Sequence, residues 1–232
     1  MPERGTGRQW PLQFQSEKSP STGPKAAITA WYLLCASAAL WLTFSTPTRA
    51  TPQGNPGRQV ALIACVAVYI SRAAHTLFVF VKRRIPWWEA AWGGSIIGCV
   101  LFFFLLRGLR VPQPIGAADV AGLILYAAGS WIGTASEHAR HLWKARPENQ
   151  GRLYTEGLFS YSRHINYFAD LLLFAGLGAL TWQWWTGIVP LAMGLNFVFV
   201  IIPAHDAYLA ARYGSEFDHY ARRTKKLMPL VY

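Results

Sequence analysis

Apolar residues run with few interruptions through four stretches of the chain, 26–46, 60–81, 88–106 and 118–135. Each approaches the roughly 20 residues that a helix needs to cross a hydrocarbon core. A fifth apolar region, 169–203, is too long for one crossing, and Thr181-Trp182-Gln183-Trp184-Trp185-Thr186-Gly187 interrupts it. It predicts a helical hairpin with its tryptophans at headgroup level. Charges and apolar residues alternate over 207–224, with Leu209, Phe217 and Tyr220 on the apolar side, which predicts a helix lying at the membrane interface. The pattern is that of an all-α polytopic membrane bundle of about six transmembrane helices, including a C-terminal hairpin, plus an interfacial C-terminal helix. Residues 1–25 lack hydrophobic periodicity and read as a flexible tail without the apolar core of a signal peptide. Residues 26–232 read as one transmembrane domain.

Composition supports this pattern: of 232 residues, 53% are hydrophobic and only 14% charged, beyond the usual range of a soluble domain. The formal charge of +11 is spread along one membrane face, with no nucleic-acid-binding motif, so anionic lipid or a phosphorylated cofactor is the expected partner rather than nucleic acid. Six crossings place the N-terminal tail, Lys82-Arg83-Arg84, the 140–163 region and the C-terminal tail on one side. Only Arg49, Arg58, Arg107 and Arg110 remain for the other, outside the helices. The positive-inside bias then puts both termini in the cytosol, in the endoplasmic reticulum or a bacterial inner membrane. Cys35, Cys65 and Cys99 lie in apolar runs without metal-ligand spacing and are expected to pack; no metal is expected.

Three polar stretches interrupt the apolar runs. Within 60–81, Tyr69, Ser71, Arg72 and His75 form a cluster at a depth where charge is expensive and faces a cavity or a partner. Tyr69, Arg72 and His75 recur at three-residue steps, so they either line one pocket or clasp a neighbouring helix. The fourth run grows a charged extension, Ser136-Glu137-His138-Ala139-Arg140-His141-Leu142-Trp143-Lys144, in which Glu137, Arg140 or His141, and Lys144 share a side as a salt-bridge ladder or a binding face. Glycines, basic residues, aromatics and amides then crowd into 151–170, GRLYTEGLFSYSRHINYFAD, a membrane-edge binding loop. Cofactor chemistry is expected in the C-terminal half, about 133–232. Phosphates require Arg and Lys donors, which Arg140, Lys144, Arg152 and Arg163 can supply.

Gly157-Leu158-Phe159 followed by Arg163-His164-Ile165-Asn166-Tyr167-Phe168-Ala169-Asp170 resembles the signature of a membrane enzyme superfamily. That superfamily contains steroid 5-alpha-reductases, sterol reductases, isoprenylcysteine carboxyl methyltransferases and DUF1295-like proteins. Ile165 replaces the usual proline and Ala169 the usual glycine. Tyr69-Ile70-Ser71-Arg72, with Lys82-Arg83-Arg84-Ile85-Pro86 downstream, resembles the second-helix region of the reductases and implies that Tyr69 is the catalytic proton donor. The glutamate that accompanies it in those enzymes has no counterpart, since no acidic residue lies between Lys25 and Glu89.

The resemblance further implies that Glu137, Arg140, Lys144, Arg152 and Arg163 hold the ribose and phosphates of NADPH. By the same resemblance Asn166 and Asp170 bind the carboxamide and ribose end of its nicotinamide nucleotide, and His164 and Tyr167 belong to the cofactor site. The arginine that reductases carry before the C-terminal tail is missing, and His205 stands nearest. The function expected first is NADPH-dependent reduction of a carbon–carbon double bond in a lipophilic, steroid- or sterol-like substrate. The alternatives are an S-adenosylmethionine-dependent methyltransferase of isoprenylcysteine or phospholipid type, and a non-catalytic lipid-binding membrane protein.

Overall fold

The computed structural model describes residues 21–45 and 54–232. Most of the expected N-terminal tail and the Thr-Pro loop containing Arg49 lie outside the described residues. Among the described residues the regular elements are all helical, and Ser162 and Lys225 form an isolated parallel bridge. Its helices are α1 (Thr22–Phe44), α2 (Pro56–His75), α3 (Trp87–Gly108), α4 (Ala117–Ala145), α5 (Ile165–Ala179), α6 (Ile188–Asn196), α7 (Ile202–Tyr213) and α8 (Ser215–Arg223). A π-helical turn, Thr76–Phe80, extends α2, and a second, Phe197–Ile201, joins α6 to α7.

Among the described residues, four segments are long and apolar enough to cross a bilayer: 22–44, 56–80, 87–108 and 184–213. The shorter α5 is apolar as well. Trp41, Trp87, Trp88, Trp92 and Trp131 are exposed on the outside of the bundle, where hydrocarbon rather than water suits them. These features make the chain an all-α membrane bundle.

Local chemistry sets the helix ends. Asn55 caps α2 by accepting from the Arg58 N–H at 3.1 Å, and Pro56 occupies the first turn, where no N–H is needed. At the start of α4, Asp119 reaches back to accept from the Gly116 N–H at 2.9 Å. Lys25, placed by the sequence pattern in the tail, is instead helical and buried, and its ammonium donates to the Val81 carbonyl at 2.7 Å. α1 therefore begins at Thr22.

Two of the arginines assigned to the loops of the sparsely charged end also sit inside helices, Arg58 in α2 and Arg107 in α3. Arg58 is fully buried. It makes a two-pronged ion pair with Asp119 at 2.7 and 2.8 Å and donates to the carbonyls of Val111, Gln113 and Pro114. Trp182 donates to Asp119 at 3.1 Å and lies under the Arg58 guanidinium, so this tryptophan locks the bundle end instead of merely anchoring it at headgroup level. A buried guanidinium with every prong satisfied fixes the relative position of α2, α4 and the α5–α6 turn.

The closest helix pair is α4 on α5. A Cβ placed on Gly129 would lie 2.4 Å from the Ala169 carbonyl oxygen, and one on Gly176 would lie 2.5 Å from the Gly122 oxygen. Small residues permit this backbone approach. In α3, Gly94 and Gly98 pack on α1, but Gly93 has no atom within 4 Å of its would-be Cβ among the described residues. Cys35 and Cys65 are buried, whereas Cys99 is exposed on the bundle surface.

The expected interfacial helix over 207–224 is two helices. Its first part continues the last membrane segment to Tyr213, and Gly214, at φ +54°, breaks the chain before α8. Few residues other than glycine adopt that conformation at low cost. Phe217 and Tyr220 of α8 bury against Leu153, and the Tyr220 hydroxyl donates to the Phe159 carbonyl at 2.6 Å. Burial raises the Tyr220 phenol above its ordinary pKa. α8 is thus a cap on the 146–164 loop.

Candidate functional site

The site has two halves joined by α5. The first is a cavity of about 340 Å³ between α1, α2, the start of α3 and α5. Tyr69 projects into it from α2 and is held edge-on by Phe174 at 5.5 Å and against Tyr32 at 6.1 Å. Its hydroxyl makes no hydrogen bond among the described residues. Arg72 lines the same cavity and is aimed by Thr134 at 2.6 Å and Ser130 at 3.0 Å, both on α4. Asp170 enters from α5, also without a hydrogen bond or ion pair among the described residues. The remaining wall is largely apolar, with Gly93 leaving it open on the α3 side and the Arg83–Glu89 ion pair at its loop end. Of the polar cluster expected on α2, only Tyr69 and Arg72 reach this cavity. Ser71 is exposed and bonds back to Ala67, and His75 is exposed with its ring on Phe80.

The second half lies where α4, α5 and α7 meet at the basic end of the bundle. Glu137 pairs with Arg140 through one carboxylate oxygen, and its other oxygen is buried with no hydrogen-bond partner among the described residues. Arg140 lies over the Phe159 ring. Tyr167 stacks between His164 at 5.3 Å and Phe197 at 4.7 Å, and its hydroxyl shares a 3.3 Å hydrogen bond with His205. The charged groups of Arg140, Asp170, Glu137 and Asp206 all lie within electrostatic reach of that phenol. Tyr167 and Asp170 stand one turn apart on α5, so the cavity and this cluster form one polar seam through the bundle. Asn166 shares that end of α5, half-buried, and its amide makes no hydrogen bond among the described residues.

Two of the expected cofactor ligands serve another purpose here. Arg163 is buried and donates to Asp206 at 2.8 Å and to the carbonyls of Ala221 and Thr224 at 2.8 and 3.2 Å. His164 bonds Asp206 at 2.9 Å, and the backbone N–H groups of residues 163 and 164 donate to the carbonyls of Lys225 and Lys226. Together they clasp the C-terminal segment to α7. Lys144 donates to the Arg152 carbonyl and lies 3.3 Å from the Tyr213 hydroxyl, while the Arg152 side chain is exposed. Tyr154, which joins Trp143 and Phe159 in an aromatic cluster under the loop, has its phenol pushed up by burial.

Asp206 was not singled out from the sequence, although it is the carboxylate on which the clasp turns. The signal was present: it is the only acidic residue in the apolar segment 184–213, the same anomaly of charge at depth that singled out Arg72. Ser130 and Thr134, which aim Arg72, carry no such signal.

The groups that remain accessible, Arg140 among them despite its pair with Glu137, are of the kinds that could hold a nucleotide cofactor. The free oxygen of Glu137 can accept from ribose hydroxyls, and the Asn166 amide and Asp170 can meet a carboxamide. Arg140, 39% exposed at its side chain, and Arg152 can face phosphate. Among the described residues no group of His, Cys, Asp and Glu is arranged to hold a metal ion.

Comparison with known proteins bears on the same region. Residues 91–224 match the family model described as "Protein of unknown function (DUF1295)". The chain is also 33% identical over 159 residues to a protein of Ustilaginoidea virens named "Probable O-methyltransferase ustE". That alignment covers 62% of this chain and 55% of the relative, so the chain spans about half the relative's length. With the family model covering more than half of its residues, including α4, the 151–170 loop, α5 and α7, this chain belongs to the DUF1295 family of steroid 5-alpha-reductase-like membrane proteins.

Proposed function

We propose that the chain is a membrane-embedded, NADPH-dependent reductase of a carbon–carbon double bond in a lipophilic substrate. The observation that carries this reading is the seam itself. An unpartnered phenol and carboxylate, Tyr69 and Asp170, share one largely apolar cavity that runs on to unspent groups suited to a nucleotide. The basic end would face the cytosol, where the cofactor is available, and the substrate would enter from the bilayer.

When bound, the nicotinamide supplies a hydride. The residues of this chain do the rest. Asn166 and Asp170 orient the carboxamide, Glu137 takes ribose hydroxyls, and Arg140 and Arg152 receive phosphate. Tyr69 holds a proton at its hydroxyl within reach of the substrate, and Arg72, fixed by α4, biases the local field toward releasing it. Asp170 supplies to this cavity the carboxylate that α1 and α2 lack. The apolar walls exclude water from the reacting atoms.

A second reading, methyl transfer from S-adenosylmethionine, is favoured by one specific observation. Arg163 and His164 are spent on Asp206, which leaves fewer cations for a polyphosphate than the sequence offers. The name of the Ustilaginoidea virens relative points the same way. The two readings separate in one experiment, because a ligand that binds only the native state raises its unfolding temperature. NADPH is expected to stabilise the detergent-purified protein and S-adenosylmethionine to leave it unchanged. Tyr69→Phe is expected to keep the NADPH shift while lowering turnover of a cyclic-enone probe by about 100-fold. Stabilisation by S-adenosylmethionine alone would reverse the assignment, and silence from both would favour a non-catalytic lipid binder.

A further inference from the structure

Outside the seam, the segment after α8 closes over a separate cavity of about 330 Å³ at the basic end. Arg222, Arg223, Lys225 and Lys226 line it, with the buried Arg163 on its inner side, and no acidic side chain takes part. The four outer cations are exposed and make no ion pair among the described residues. Two nearby carboxylates are spent elsewhere, Asp206 on Arg163 and His164 and Glu216 on the Leu153 N–H at 3.2 Å, and Asp218 of α8 does not line the cavity. Arg163 is neutralised by Asp206, so four unpaired positive charges around one small cavity repel one another, and an anion seated among them relieves that repulsion.

A second observation selects the kind of anion. Immediately beyond the cations, Met228, Leu230, Val231 and Tyr232 are exposed, Leu230 to 84%. Water gives no reason for an apolar tip there, whereas a headgroup layer does: apolar side chains enter the acyl boundary while adjacent cations sit level with phosphate. A soluble phosphate would account for the cations and leave the tip unexplained.

We propose that residues 222–232 form a binding site for the headgroup of an anionic phospholipid, with its phosphate seated between Arg222, Arg223, Lys225 and Lys226. The site is coupled to the seam through backbone. The 225 and 226 carbonyls receive the N–H groups of residues 163 and 164, and Ser162 donates to the 226 and 227 carbonyls at 3.2 and 2.7 Å. A lipid held by this strap steadies the loop that presents His164 to Asp206. The proposal does not depend on which reaction the seam performs.

The test uses the full chain in neutral-detergent micelles, titrated with phosphatidylglycerol, phosphatidylcholine or inorganic phosphate, with unfolding temperature and retained lipid by native mass spectrometry as readouts. Phosphatidylglycerol is expected to bind saturably and raise the unfolding temperature; the other two are expected to do neither. R222Q/R223Q/K225Q/K226Q alters exposed side chains only. It should not lower the unliganded unfolding temperature and should lose phosphatidylglycerol affinity by roughly fivefold per charge removed. The double variant L230S/V231S, which keeps every cation, should weaken phosphatidylglycerol about tenfold. Equal protection by inorganic phosphate would make this a free-phosphate site, and unchanged phosphatidylglycerol affinity in both variants would remove the site altogether.

Discussion

Asp206→Ala is expected to loosen the whole basic end of the bundle. The carboxylate takes the Arg163 guanidinium on one oxygen and the His164 ring on the other. Arg163 is 5% exposed at its side chain, and its Nε already lacks a partner among the described residues. Removing Asp206 strands a buried cation, which costs about 3–5 kcal/mol. The damage spreads because Arg163 also holds the Ala221 and Thr224 carbonyls, and through them the end of α8. The unfolding temperature in detergent should fall, and trypsin should cleave the basic 222–226 segment sooner than in the unaltered protein. Asp206→Asn, which keeps the acceptor oxygen without the charge, should fall between. If Asp206→Ala unfolds and is cleaved like the parent, Asp206 is not the anchor of this end.

Gly129→Val is expected to be the other severe substitution, for a reason of space rather than charge. Its first added carbon would lie 2.4 Å from the Ala169 oxygen and 2.6 Å from the Leu173 nitrogen. Both are backbone atoms of a helix and cannot swing aside as a side chain can. The two helices must part, at a cost of about 1–3 kcal/mol or more. Parting them separates Glu137 and Arg140 on α4 from Tyr167 and Asp170 on α5, so ligand-induced stabilisation should vanish along with the yield of monodisperse protein. Gly187→Ala is the matched control, because no atom lies within 4 Å of its added carbon. Equal behaviour of the two variants would show that close approach at Gly129 does not hold the pair together.

Both substitutions fall on positions that a reading of the chain alone passes over, although much of the neighbouring site is legible there. Residues 163 to 170 stand out because basic and amide groups at a membrane edge are costly unless they bind something. In the folded chain they turn in two directions, with Tyr167 and Asp170 on the seam while Arg163 and His164 turn to a carboxylate about forty positions later. Tyr69 and Arg72 share a face by helical arithmetic and do share a cavity. His75 belongs to the same arithmetic, yet it is exposed beside Phe80 where the π-helical turn begins.

By itself the sequence determined which segments are helical and apolar, because a helix satisfies its own backbone within a few residues and a bilayer demands length. The expected run 88–106 lies within 87–108, and the break at Thr181–Gly187 falls where α5 ends and α6 has yet to begin. Its similarity to other membrane proteins was legible in short local motifs for the same reason. Only the tertiary structure decided which polar group meets which: Arg58 with Asp119, Arg163 with Asp206, Arg72 with Ser130 and Thr134. It also decided which glycines are contacts and which is a cavity wall. Such pairings join residues about 40 to 60 positions apart, and no local period encodes them, since they follow from how closely the helices can pack.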